Sequence, residues 1–455
     1  MPYRPSTAHA SLGREFYDAV EPARFPSLTL RYRNQAWAER IGLGQLTDAE
    51  WLQHFGAFTP LPGSFPEPLA LRYHGHQFRN YNPDLGDGRG FLFAQLQDDT
   101  ERLLDFGTKG SGRTPWSRGG DGRLTLKGGV REVLATAMLD AQGVNTSQSF
   151  SLIETGEALQ RGDEPSPTRS AVLVRLSHSH IRIGSFQRFQ ALEQPDNIAR
   201  LLEHCIQYYA PVTGEDRAAA FLTQVVQNVA TLGAQWMAAG FVHGVLNTDN
   251  INITGESFDY GPWRWLPTYD PDFTAAYFDH SGLYAYGRQP ETLLWNLVRL
   301  AECLLPLSEK ARIEAALAGF SPLFHTALDA AVLRRLGLAS TGPDADRALA
   351  SAWWTWLADS QTPFEEAFYR CYAGRAPWPG AQAALAGANP VGQDHPYFHG
   401  TPCTMLLEEV EAIWAPIAEH DDWSLFHAKL AQIAIMRTAY RLPLSASRAG
   451  DALRN

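Results

Sequence analysis

Residues 243–261, HGVLNTDNINITGESFDYG, concentrate groups that could do chemistry. Asn250 and Asp259 offer the hard oxygen donors that Mg²⁺ takes, with phosphate oxygens and water filling its other positions; Mn²⁺ is the alternative ion. Asp249, one residue before Asn250, is the nearest carboxylate able to accept a proton from an attacking hydroxyl. An aspartate here can equally cap its own turn, and both readings stay open. Val245, two residues after His243, can neither take a proton nor hold a hydroxyl by a hydrogen bond.

A second concentration lies upstream, in GDGRG (86–90) and GTKGSGRTPWSRGGDGR (107–123). Between residues 109 and 131 the basic residues Lys109, Arg113, Arg118, Arg123, Lys127 and Arg131 face a single acid, Asp121, in a chain of net charge −11. Glycine lets main-chain N–H groups approach phosphate oxygens, and arginine forks grip them in pairs. A solvated loop with ordinary ion pairs is the plain alternative. Joined to the oxygen donors downstream, the stretch points to a nucleoside polyphosphate.

The downstream spacing is that of a kinase phosphate-transfer loop: His-x-Asp, four residues, Asn, then an Asp-Phe-Gly-type triplet. Val245 stands where the base belongs, and Asp259-Tyr260-Gly261 supply the triplet. Machinery for metal and nucleotide is thus expected without the usual kinase base.

Stepping outward, such groups need elements to hold them. GFLFAQLQ (90–97) and RLLDFGTKG (102–110) read as a hairpin around Asp98–Glu101, with Lys109 at a strand end. LKGGVREVLATAMLDAQGV (126–144) reads as a helix stopped at Gly143, placing Glu132 to pair with Lys109. SFSLIETGEAL and SAVLVRLSHSHIRIGSF read as strands flanking a polar loop at 161–168. Arg175 and Arg182 lie on the second; a sheet could turn both inward or leave both on its surface. Phe221, Leu222, Val225, Val226, Val229, Leu232 and Trp236 form the apolar face of a helix ending at Gly240, which delivers the chain into HGVLNTDN. The pairs His74/His76 and His178/His180 read as hydrogen-bonded histidines, and Trp353, Trp354 and Trp356 as core.

The fold class expected is α+β: a strand-rich front lobe and a mainly helical back lobe. The expected divisions are an N-terminal extension (1–65), a strand-rich lobe with the glycine/arginine loops (66–189), a helical core with the catalytic and metal loops (190–310) and a helical C-terminal region (311–455). At 455 residues, two lobes or two to three domains are the prior. The acidic balance argues against nucleic-acid and membrane-surface partners. Four scattered cysteines without a C-x-x-C pair fit a reducing compartment. The N-terminus has no apolar core of signal-peptide length and no run of 18 apolar residues occurs, so a cytoplasmic protein is expected.

GHQF (75–78), LGDGRG (85–90), KGSGRTPWSRGGDGR (109–123), Arg131-Glu132, SHIRIG (179–184), GFVHGVLNTDNINITGESFDYGPW (240–263), Asp270-Pro271 and YAYGRQPETLLWNLVRLA (284–301) together resemble the selenoprotein O family. That resemblance implies a protein-kinase-like fold binding ATP in a flipped orientation. It implies transfer of AMP to Ser, Thr or Tyr hydroxyls of proteins, with release of pyrophosphate. By matching motif, it implies that Gly86, Gly88, Arg89, Lys109, Asp121, Gly122, Arg175, Arg182 and Asp259 contact the nucleotide. It likewise implies that Glu132 pairs with Lys109, Asp249 accepts the proton, and Asn250 and Asp259 bind the metal. The sequence departs from the family at Lys127-Gly128-Gly129, at Ala275 and in the ending SASRAGDALRN, so no intramolecular redox latch is expected. A small-molecule or protein phosphotransferase and an inert ATP-binding scaffold are the alternatives; Val245 weighs against the first, and the retained Asp249, Asn250 and Asp259 against the second.

Overall fold

The computed structural model describes residues 2–376, 378–381, 385–392 and 394–440; the ending SASRAGDALRN lies outside them. Its centre is a nine-stranded antiparallel sheet. The first strands in chain order are β1 (Pro5–Ser6), β2 (Tyr17–Ala19), β3 (Thr29–Arg33) and β4 (Leu69–Leu71). A separate hairpin follows, β5 (Gly75–Gln77) with β6 (Asn80–Asn82). Then come β7 (Leu92–Gln97), β8 (Leu103–Lys109), β9 (Leu124–Thr125), β10 (Gln148–Leu159) and β11 (Thr168–Ser177). The spatial order is β2-β4-β7-β8-β11-β10-β3, with β1 on β7 and β9 on β11, so three strands come from the first 33 residues.

The expected β7–β8 hairpin forms, and its turn shows why. Buried Asp98 accepts the N–H groups of Thr100 (2.9 Å) and Arg102 (3.0 Å) and pairs with the Arg102 guanidinium (2.8 Å). One carboxylate thus closes the turn and neutralises the charge that follows it.

Helices cover both sheet faces. Helices α1 (Gln35–Arg40) and α2 (Asp48–Phe55) bring Trp37, Trp51 and Phe55 onto one face, where Trp51 stacks on Phe150 at 4.7 Å. Thr47 and Glu50 form a capping box that starts α2. On the other face lies α3 (Leu126–Ala141), capped by Thr125 and burying Val130, Val133, Leu134 and Met138. Gly143, at φ +79°, ends this stretch as expected.

One expected strand segment is helical. β11 stops at Ser177, and α4 runs from Ile183 to Ala191. Ser185 Oγ accepts the Arg182 N–H at 3.3 Å, while Ile183, Phe186 and Phe189 fall on one buried helical face. Three apolar residues at that spacing pack as a helix once a hydroxyl satisfies the free N–H.

Beyond α4 the chain is helical: α5 (Pro195–Tyr208), α6 (Arg217–Ala239), α7 (Gln289–Leu304), α8 (Lys310–Ala318), α9 (Phe320–Arg335), α10 (Pro343–Ser360), α11 (Phe364–Cys371), α12 (Leu407–His420) and α13 (Ser424–Ala439). Asp216 caps α6 and left-handed Gly240 ends it, as the pattern predicted. Trp353 is buried against Phe368 and Trp378. Lys310–Arg335 is the single described stretch with the length and hydropathy of a membrane span, but it divides at Gly319 and packs against α6.

Candidate functional site

A cavity of about 540 Å³ opens where β8 and β11 meet the segments that follow α6. Lys109 enters from the end of β8 and Arg175 from β11; Arg182 comes from the residue before α4. Short β12 (Phe241–Val242) pairs with β13 (Arg264–Trp265), and residues 243–261 loop between them, carrying Val245, Asp249, Asn250, Asp259 and Gly261 to the cavity. Buried His243 staples this loop by donating from Nε2 to the Phe258 carbonyl at 3.0 Å.

Asp259 is the electrostatic hub. Its carboxylate meets Arg175 Nη1 at 2.5 Å, Arg182 Nη1 at 3.1 Å and Lys109 Nζ at 3.9 Å. Burial alone would raise its pKa; Arg175, Arg182 and Lys109 outweigh that and hold it well below the usual carboxylate range. Its φ of +61° is a left-handed conformation that a non-glycine residue adopts at a cost of about 1 kcal/mol or more, as residues held for function do. Lys109 pairs with Glu132 of α3, as expected, through a buried ion pair. Arg182 is almost wholly buried; it stacks on Tyr73 at 4.2 Å, donates to the Asp249 carbonyl at 3.0 Å and lies 3.6 Å from Asp87.

Asp249 sits in a single turn, Thr248–Asn250, buried at 7% exposure. Its Oδ1 has no hydrogen-bond partner, and burial raises its pKa to about 6 against the pull of Arg182. A buried carboxylate oxygen left unpartnered is expensive, so Oδ1 is free to meet a ligand, while the carboxylate also takes a hydrogen bond from its own backbone. Asn250 does the local structural work, its Nδ2 donating to the Val245 carbonyl at 2.9 Å. That bond commits the amide nitrogen and leaves Oδ1 as the group able to meet a cation.

The glycine loops interlock. A Cβ on Gly86 would fall 2.3 Å from the Trp116 ring, and one on Gly88 2.8 Å from the Trp116 carbonyl. Gly122, at φ +70°, would clash with Gly112. Glycine therefore serves contact between the two loops as well as approach to a ligand. Gly86, Gly88, Arg89, Asp121 and Gly122 all line the cavity. Asp121 is engaged by Arg161 at 2.8 Å, which ties the loop to the β10–β11 connection. Arg89 and Arg118 reach the same space, exposed and without an acid partner among the described residues.

The residues carried over by matching motif all line this cavity except Glu132, which touches it through Lys109. Of the basic run, Arg118 and Arg123 line it too, but Arg113, Lys127 and Arg131 do not: Lys127 pairs with Glu411 at 2.7 Å and Arg131 lies over the Trp263 ring at 4.4 Å. Missed were Tyr73, Asp87, Arg161 and Asn247. Asp87 was legible, since it sits between two glycines of GDGRG; Arg161 was not, because only the β10–β11 pairing brings it over. The first histidine pair takes ordinary partners: His74 Nδ1 meets the Tyr81 hydroxyl at 2.5 Å, and His76 meets Gln187 at 2.8 Å. In the second, His180 Nδ1 reaches Asp105 at 3.4 Å while its buried Nε2 has no hydrogen-bond partner, contrary to the expectation.

As a metal site, the residues fit an ion shared with substrate. No group of three or more His, Cys, Asp or Glu side chains among the described residues is placed to hold one. Asn250 and Asp259 supply hard oxygens, and phosphate oxygens and water would complete six positions around Mg²⁺.

Comparison with known proteins matches residues 2–378 to the family described as protein adenylyltransferase SelO. A protein nucleotidyltransferase YdiU of Trichormus variabilis is 45% identical over 93% of this chain and 94% of its own length. One from Synechococcus elongatus is 53% identical over 74% of this chain and 68% of its own, and one from Vibrio cholerae 38% over 79% and 73%. With residues 2–378 matched to the family and relatives of this identity over most of its length, this chain belongs to the SelO protein adenylyltransferase family and is an enzyme of the nucleotidyltransferase class.

Proposed function

We propose that this enzyme transfers AMP from ATP to Ser, Thr or Tyr hydroxyls of proteins and releases pyrophosphate. The arrangement proposed is two-lobed and protein-kinase-like: residues 66–189 form the phosphate-gripping lobe, 190–310 the lobe of the catalytic and metal loops, with 1–65 and 311–455 attached. The cytoplasm is the proposed setting, without nucleic acid or membrane as partner.

One observation carries the reading. Arg175, Arg182 and Lys109 from the sheet side share a cavity with Asp249, Asn250 and Asp259 from the loop side. In the proposed complex, the β and γ phosphates lie among Lys109, Arg175, Arg182 and the exposed Arg89, held by charge-assisted forks. Glu132 keeps Lys109 extended. Gly86, Gly88, Asp121 and Gly122 shape the wall around the nucleotide. Asn250 and Asp259 would hold Mg²⁺, or Mn²⁺, which supplies charge neutralisation at the phosphates when bound. Asp249 takes the proton from the acceptor hydroxyl. The acceptor oxygen forms a bond to the α-phosphorus, the bond from that phosphorus to the bridging oxygen breaks, and pyrophosphate leaves with the electron pair. Val245 cannot take that proton, so the loop's proton acceptor moves four residues on to Asp249.

The test uses ATP labelled on either the α or the γ phosphate, with Mg²⁺ and a cell lysate. Protein-bound α label is the expected result. Label from the γ position would assign a phosphotransferase, and none from either would leave an ATP-binding scaffold.

A further inference from the structure

The loop after the Asp259-Tyr260-Gly261 triplet carries an adjacent aromatic pair, Tyr277 open to solvent and Phe278 partly covered by Phe78. Tyr277 is 78% exposed and Phe278 43%, their rings edge to face at 5.1 Å. Two adjacent exposed aromatics are a patch rather than a stray apolar residue. Nor is the loop slack. Buried Asp279 accepts the N–H groups of Leu283 at 2.9 Å and Tyr284 at 2.8 Å, pinning the turn behind the pair. In front of it, Ala275 packs on Gly244, where an added Cβ would come within 2.9 Å of the Ala275 methyl. Gly244 adjoins Val245 of the cavity wall.

A second route joins the pair to the site. Phe278 packs on Phe78 at 5.9 Å, and Phe78 on Tyr284 at 4.9 Å. The Tyr284 hydroxyl donates to Asn247 Oδ1 at 2.6 Å, and the Phe78 N–H donates to the same oxygen at 3.1 Å. Asn247 lines the cavity two residues before Asp249. Phe78 is held at φ +49°, a left-handed conformation unusual for an aromatic residue, which the bond to Asn247 helps to fix.

A single hydroxyl side chain entering the cavity occupies only its tip. The rest of a polypeptide acceptor must rest on the surface around the mouth, and the Tyr277–Phe278 pair is tied to the cavity wall through Phe78, Tyr284 and Asn247. We infer that Tyr277 and Phe278 form the docking surface for the acceptor polypeptide, gripping an apolar side chain that flanks the modified hydroxyl. This rests on the reading of the cavity as the AMP-transfer site. Aromatic anchors suit the task because they bury much area while freezing few torsions.

The probe is a pool of synthetic peptides with a central Ser, Thr or Tyr and randomised flanks, incubated with Mg²⁺ and α-labelled ATP. The wild-type enzyme should favour peptides with a large apolar residue near the acceptor. The double variant Tyr277→Ala/Phe278→Ala should lose that preference, with kcat/KM for the selected peptides at least about tenfold lower, mainly through KM, as loss of an interface anchor implies. Its affinity for a non-hydrolysable ATP analogue should match wild type and it should remain folded at the assay temperature, and Tyr277→Phe should retain the preference. Unchanged kcat/KM and preference in the double variant would overturn the inference. So would an aromatic pair whose loss converts a dimer into a monomer while peptide labelling holds, since the patch would then face a second copy of the chain. A wild-type enzyme that labels no peptide, while binding the analogue, would instead remove the AMP-transfer reading and this inference with it.

Discussion

Replacing Asp249 by asparagine keeps the side chain's shape and removes its ability to take a proton. General-base removal costs about 10²–10⁴-fold in rate, or about 3–5 kcal/mol of transition-state stabilisation. The same change should act on stability in the opposite sense. Burial raises the Asp249 pKa from 3.8 to about 6. An acid with a raised folded pKa binds its proton more tightly in the folded state. Its stabilising contribution is complete below its unfolded value of 3.8 and is lost as pH rises through about 6. At pH 8 the ionised, buried carboxylate therefore costs the fold about 3 kcal/mol, from 1.36 kcal/mol per pKa unit. Asp249→Asn should raise the thermal midpoint at pH 8, and the gain should shrink toward pH 5. The wild-type rate of α-label transfer should fall about tenfold between a plateau near pH 8 and pH 5, as the base becomes protonated, and the variant should lack that inflection. A variant that labels protein at the wild-type rate, or that keeps the inflection near pH 6, would refute the assignment of Asp249 as proton acceptor.

Other outcomes follow from the same geometry. Asp259→Ala should abolish α-label transfer; circular dichroism at room temperature should still show the native helix content, but the thermal midpoint should fall, because Arg175, Arg182 and Lys109 lose their shared acid. Glu132→Gln strips Lys109 of its buried partner; loss of about 3 kcal/mol of stability and a raised KM for ATP are expected in melts and steady-state kinetics. Gly86→Ala drives a methyl into the Trp116 ring and should cost about 1–3 kcal/mol, with weaker binding of an ATP analogue measured by calorimetry. Dithiothreitol should leave the rate unchanged, because Cys205, Cys303, Cys371 and Cys403 are free and buried, and activation by the reductant would contradict this.

Much of this site could be read along the chain because its parts are short and local. The His243–Asp259 loop, the Lys109 strand end and the Gly240 stop each rest on a few neighbouring residues whose backbone demands or side-chain chemistry are intrinsic. The α3 and α6 helices were legible for the same reason: their apolar positions recur at one period over several turns. Segment 178–189 was not. SHIRIGSF alternates well enough for a strand, and it turns helical because Ser185 caps it and Phe186 and Phe189 find a buried face.

Residue types and spacing were enough to nominate an acidic pair, a run of cations and a missing base at Val245. Which cation meets which acid was decided by the folded chain. Arg175 and Arg182 are seven residues apart, one on a strand and the other just before a helix, yet both converge on the carboxylate of Asp259, about eighty residues downstream. That Asp249 would be buried, with one carboxylate oxygen unpartnered and a raised pKa, could likewise not be read locally, because burial is a property of what packs around it. Identity travels with a residue along the chain; desolvation and pairing exist only once distant segments exclude water together.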